Sequence, residues 1–178
     1  ILQPGEPVVV TEKIHGASAR YCFRNGVMYC GSRTSWKMES EESVWWRALR
    51  ATPELETFCR DRPDITVYGE VYGAVQDLRY GVPPGEVRFV AFDLLLGGEW
   101  LDPIHAGDIG HALPWVPLIA VRPFDFFAIC ILAEGQSRIP DAPHLREGVV
   151  VKPTKERQDL EMGRVCFKLV SNTYLERG

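Results

Sequence analysis

The sequence predicts an α+β fold of mostly antiparallel sheets with helices inserted between the strands. Three observations carry this expectation. Short apolar blocks rich in Val, Ile, Tyr and Phe recur along the chain, as strands require. Helical spacing is confined to a few segments, chiefly 39–63. Strand and helix signals do not alternate regularly, which argues against a doubly wound parallel sheet.

Taken in order, residues 7–12, 18–24 and 27–31 read as strands, and Arg24-Asn25-Gly26 between the last two is a hairpin signal. The segment 39–63 reads as two helices broken before Pro53, with Val44, Trp45 and Leu49 on one apolar stripe and Leu55 and Phe58 on the next. "DITVYGEVYG" and "EVRFVAFDLLLGGEWL" each read as a strand. Residues 125–133 read as a helix ended by Gly135. "REGVVVKP" and "RVCFKLV" are the closing strands.

A chain of 178 residues, 46% hydrophobic and 25% charged, is sufficient for one domain with a buried core. No apolar run approaches the roughly 20 residues of a membrane-spanning helix. The five cysteines include no CxxC pair, which argues against a zinc site and for a reduced, intracellular (cytoplasmic) setting. A net charge of −4 excludes a general nucleic-acid coat while allowing a local basic groove. The chain opens at Ile1 without methionine, so the expectation is one excised or minimal domain, 1–178.

"VVVTEKIHGASARYCF" places Glu12, Lys13 and His15 between two strand signals, where a hairpin end with solvated charges would be the plain reading. Partners elsewhere decide otherwise. Glu70 follows Gly69, Glu147 and Lys152 bracket "GVVV", and Lys168 lies in the last strand. Each alone fits an exposed sheet-face charge, but the glycines beside Glu70 and Glu147 permit close approach of a ligand. Glu147 and Lys152 are an odd number of residues apart, so strict alternation puts them on opposite faces. Two carboxylates and three lysines can hold Mg²⁺ and a polyphosphate.

"EKIHG", "GSRTSW", "VYGEVYG", "FVAFDLL", "REGVVVKP" and "VCFKLVS" stand in the order of the nucleotidyl-transfer motifs of ATP-dependent polynucleotide ligases. The Lys-Ile-His-Gly form resembles RNA ligases of the T4 RNA ligase 2 type. The resemblance runs from Glu12 to Lys168 and implies the covalent nucleotidyltransferase fold. It implies that Lys13 is the nucleophile that takes AMP from ATP. Lys152 and Lys168 would neutralise charge on the transferred phosphoryl group. Glu70 and Glu147 would hold Mg²⁺ or Mn²⁺, Arg33 would contact the ribose, and Phe92 would stack on adenine. Glu12, Ile14 and His15 complete the expected nucleotide-binding set. Gln76 and Tyr80 are weighed as further polar candidates against a plain structural role.

The partners implied are RNA ends or a nicked RNA duplex, with no membrane and a monomeric state. No accessory RNA-binding domain is expected within the chain. Two departures stand out: Cys166 replaces a family lysine, and Ser18 replaces a family asparagine. A DNA ligase, a GTP-using capping enzyme and an inactive nucleotide- or RNA-binding module are the alternatives.

Overall fold

The structure is a computed structural model describing residues 2–177. Ile1 and Gly178, on which the expectation of an excised domain partly rests, lie outside the described residues. Strand β1 (Pro7–Glu12) leads into β2 (Ala17–Arg24), which turns through Asn25 and Gly26, both at positive φ, into β3 (Val27–Gly31) and the short β4 (Trp36–Lys37). Left-handed backbone at two successive residues is the hairpin geometry that Asn-Gly favours. Helices α1 (Val44–Arg50) and α2 (Pro53–Asp61) follow, separated at Thr52, with Pro53 in the first turn where its missing N–H costs nothing.

Strand β5 (Ile65–Gly73) and β6 (Val87–Leu96) are the longest in the molecule. The expected single strand over "EVRFVAFDLLLGGEWL" is corrected: Gly97 and Gly98, both at positive φ, fold the chain back into β7 (Glu99–Trp100). Two further elements lie in the proline-rich stretch that the sequence reading left unassigned, α3 (Pro103–Ile109) and β8 (Leu118–Pro123). Helix α4 (Phe126–Ala133) starts on Asp125, whose side chain accepts from the Ala128 N–H at 2.7 Å. Strand β9 (Gly148–Pro153) follows, then the small hairpin of β10 (Gln158–Asp159) and β11 (Gly163–Arg164). The expected last strand is divided, β11 being separate from β12 (Phe167–Val170), and α5 (Asn172–Leu175) closes the described chain.

The strands form a six-stranded sheet, β4-β3-β2-β5-β6-β7, and a four-stranded sheet, β12-β9-β1-β8, with antiparallel pairing between all neighbours. Each sheet has one face turned to a core. Tyr21, Val67, Val71, Phe89 and Leu94 of the larger sheet pack with Leu49, Leu55 and Phe58 of α1 and α2. Val8, Val10, Val149 and Val151 of the smaller sheet pack with Ile129 and Ala133 of α4. The opposite faces of both sheets line the cleft described next. A third cluster, with Ile14, Tyr72, Leu78 and Tyr80, supports the β1–β2 connection. All five cysteines are free. Among the described residues no helix is long and apolar enough to cross a membrane.

Candidate functional site

Alternation along β1 dictates what enters the cleft. Val8 and Val10 face the core, so Val9, Thr11 and Lys13 face the other way. Thr11, Val150 and Lys168 are register partners across three strands, and Val9 lies opposite Lys152. The smaller sheet thereby presents Lys13, Lys152 and Lys168 to a cleft of about 680 Å³. The larger sheet presents Ser18 and Glu70, which are register partners, together with Tyr68, Phe92, Asp93 and Trp100. The chain crosses between sheets at Gly16, where a Cβ would collide with the Val71 carbonyl and lie 3.0 Å from Glu70 Cγ. Only glycine lets the β1–β2 loop lie this close to β5.

Lys13 Nζ lies 2.6 Å from Glu147 Oε2, and the Lys13 N–H donates to the Gly148 carbonyl at 2.9 Å. Burial pushes the Glu70 carboxyl up to about 7, and Glu147 adds to this. Lys13, Lys168 and the Gly16 N–H pull the other way without overcoming it. Lys168 is exposed in the cleft wall, and so is Arg33 in the β3–β4 turn.

The other end of the cleft is organised around Asp93, which the sequence reading missed. A bulge in β6 makes Tyr68 pair with Asp93 while Gly69 pairs with Ala91, so Phe92 and Asp93 both reach the cleft. Asp93 is almost fully buried and accepts from Lys152 Nζ at 2.8 Å and from both Arg164 terminal nitrogens at 2.6 and 2.8 Å. Arg164 continues to Glu156 and lies over Trp100, 4.1 Å from the ring centre. Burial alone would raise the Asp93 carboxyl. Lys152 and Arg164 more than offset that and hold it below the usual range. Lys152 also donates to the Phe92 carbonyl at 3.0 Å.

The remaining candidates lie at the margins. Glu12 is buried, with Ser137 Oγ at 2.5 Å and the Arg138 N–H at 2.6 Å donating to its carboxylate, so it does not point to solvent. Ile14 is buried in the third cluster while contributing to the cleft wall. His15 sits behind Lys13, with Nε2 at 2.7 Å from Asp77 and Nδ1 at 3.5 Å from Glu147. The Tyr80 hydroxyl accepts from the His15 N–H at 2.7 Å and is buried, which makes Tyr80 a support for the loop. Gln76 is exposed and does not line the cleft. Glu147 precedes β9, so the expected alternation with Lys152 does not apply; the two hold Lys13 and Asp93 respectively. Ser18 and Cys166, the two departures, both line the cleft.

Among the described residues no cluster of three or more His, Cys, Asp or Glu side chains is gathered for a metal ion. Glu70 and Glu147 together offer hard carboxylate oxygens. That donor set fits Mg²⁺ or Mn²⁺, which prefers few carboxylates and completes its shell with water and phosphate oxygens.

The sequence matches the family model described as RNA ligase over residues 6–170. No curated protein sequence matches the chain. Among solved structures, a Naegleria gruberi RNA ligase mutant with ATP and Mn superposes with a TM-score of 0.81 at 21% identity, covering 98% of this chain and 52% of that one. A mutant of the same ligase with AMP and Mn gives 0.80 at 22% identity, covering 98% and 52%. The same ligase with PPi gives 0.79 at 22% identity, covering 97% and 52%. The chain thus has this fold and spans about half the length of those proteins.

Proposed function

The chain belongs to the RNA ligase family, and from that premise we propose that residues 1–178 are the nucleotidyltransferase domain of an ATP-dependent RNA ligase. The observation that carries the reading is the position of Lys13. It enters a cleft walled by Lys168 and Glu70, and Glu147 is held against its amine.

In the first step Lys13 Nζ, having lost a proton to water in the cleft, attacks the α-phosphorus of ATP. A P–N bond forms, the bond to the β-phosphate oxygen breaks, and pyrophosphate leaves. Glu147, whose Oε2 lies 2.6 Å from Nζ as an ion pair, would hold the amine in the cleft. Lys168, with Lys152 reaching from the Asp93 network, would stabilise negative charge on the phosphoryl oxygens. Phe92 and Arg33 would take the adenine and ribose, with Glu12 and Ile14 shaping the wall and His15 supporting the loop from behind. Glu70 and Glu147 would hold Mg²⁺ or Mn²⁺, which when bound neutralises phosphate charge. In the second step an RNA 5′-phosphate oxygen displaces Lys13 from phosphorus. In the third, a 3′-hydroxyl attacks the adenylated 5′-phosphate, AMP leaves, and the hydroxyl proton passes to water.

The test is intact mass after incubation with ATP and Mg²⁺ or Mn²⁺. Wild-type protein gains one AMP, and Lys13→Ala, folded by circular dichroism, gains none. An adduct of the same mass on Lys13→Ala would overturn the assignment. Gain from GTP in place of ATP would move the chain to a capping-type reaction, and no gain from either would make it a binding module.

A further inference from the structure

The cleft face of the six-stranded sheet does not end at the cleft. Arg20 is the register partner of Tyr68 on one side and of Gly31 on the other, and Gly31 pairs with Trp36. Arg20 therefore points to the same side as Tyr68 and Trp36. Its guanidinium lies over the Trp36 ring, 4.0 Å from the centre, and its Nε is buried without a hydrogen-bond partner. Trp36 meets Tyr29 edge-on at 5.7 Å, and both rings are exposed, at 45% and 38%. Gly31 makes this possible: a Cβ there would meet Trp36 Cε3 at 2.9 Å and the Ser35 carbonyl at 2.6 Å. Within the cleft the row continues in the other direction, with Tyr68 meeting Trp100 at 4.7 Å and Arg164 lying over Trp100. Arginine and aromatic rings thus form one strip across the sheet, half inside the cleft and half outside, and exposed Arg33 lies in the turn joining β3 to β4.

We propose that the outer half, Arg20, Trp36 and Tyr29, is a stacking platform for unpaired bases of the RNA strand whose end occupies the cleft. This rests on the RNA-ligase reading above. The chemistry favours a nucleic acid over a protein partner. Flat exposed rings interleaved with guanidinium groups offer base stacking and phosphate contact together, and any base can stack. Continuity with the cleft supplies the direction of the strand. A net charge of −4 leaves few cations for a purely electrostatic grip, so stacking carries a larger share.

Anisotropy of a fluorescein-labelled, 5′-phosphorylated single-stranded RNA, titrated with the full chain over a salt series, tests this. Trp36→Ala weakens binding about tenfold or more, with the salt dependence unchanged. Arg20→Ala lowers the slope of log K against log salt by roughly 0.7, the value for one phosphate contact on a single strand. A fully paired duplex RNA loses much less affinity with Trp36→Ala. Tyr29→Ala leaves Trp36 and the sheet edge in place and serves should Trp36→Ala unfold. AMP attachment, read by intact mass on the same preparations, stays at wild-type level in all three variants. Failure of wild type to take AMP would count against the ligase reading alone. RNA affinity within twofold of wild type in a folded Trp36→Ala or Tyr29→Ala variant would overturn the platform. Loss of a dimer instead of RNA binding would assign the rings to contact between copies and overturn it equally.

Discussion

The two ends of the cleft contain the same charged inventory, two carboxylates and two cations, held in opposite ways. Around Asp93 the set is closed: Lys152, Arg164 and Glu156 are linked through hydrogen bonds of 2.6 to 2.9 Å, and Asp93 is almost fully buried. Around Lys13 the set is open. Lys13 meets Glu147, while Glu70 is held near neutrality by burial and Lys168 is exposed. Closed networks fix geometry because every member is costly to orphan. An open set leaves electrostatic work undone, and a polyphosphate with its cation is a ligand that completes it. On the function proposed above, the Asp93 end is scaffold and the Lys13 end the reacting site, although both line one cleft.

The largest effect that would break this contrast belongs to the closed end. Asp93→Ala leaves Lys152 and Arg164 without their shared partner, and stability falls by about 3–5 kcal/mol, the usual cost of orphaning a buried charge. Urea unfolding measures it. A cost below about 1 kcal/mol would mean that the network is not closed.

The open end has the opposite sign. Glu70 carries a carboxyl pKa of about 7 in the fold against 4.5 ordinarily. Between those values the native state binds more protons than the unfolded state, so this residue makes stability fall as pH rises from about 4.5 to 7. The shift corresponds to about 3 kcal/mol. Glu70→Gln removes that pH dependence and stabilises the apo protein above neutral pH, while leaving stability at low pH nearly unchanged. Unfolding midpoints at about pH 5 and about pH 8 decide it. Equal pH slopes in variant and wild type would show that Glu70 is an ordinary surface acid.

Most of the strand framework was legible because the motif residues lie on alternating strands whose apolar partners are Val, Ile and Phe. Lys13, Lys152 and Lys168 project to one side because Val8, Val10, Val149 and Val151 project to the other. Asp93 was hidden by the bulge at Phe92, which shifts the phase of alternation in mid-strand and cannot be read from apolar spacing. Elements α3 and β8 lay in a segment punctuated by Pro103, Pro114, Pro117 and Pro123. There the Asp102-Pro103 step was a helix-start signal, and β8 is an edge strand paired only with β1. The buried partners of Glu12, Ser137 Oγ and the Arg138 N–H, are 125 and 126 residues away in the chain, so no local pattern points to them.

Phe92 sharpens the comparison because it sits between the two ends. Its carbonyl is tied to Lys152, its ring lies 5.6 Å from the Lys152 ammonium, and the same ring lines the cleft and packs on the third core cluster. If the ring stacks on adenine, Phe92→Ala weakens ATP binding by about 1–3 kcal/mol, the range for an aromatic platform under a base. Calorimetric titration of ATP into Lys13→Ala and into the Lys13→Ala, Phe92→Ala double variant measures this without turnover. Stacking depends on the face of the ring, so Phe92→Tyr retains most of the affinity and Phe92→Leu, which fills similar volume, does not. If Phe92 belongs to the closed scaffold instead, Leu restores stability and ATP affinity is the same in all four proteins. That outcome would move the boundary between scaffold and reacting site to the Lys13 side of Phe92.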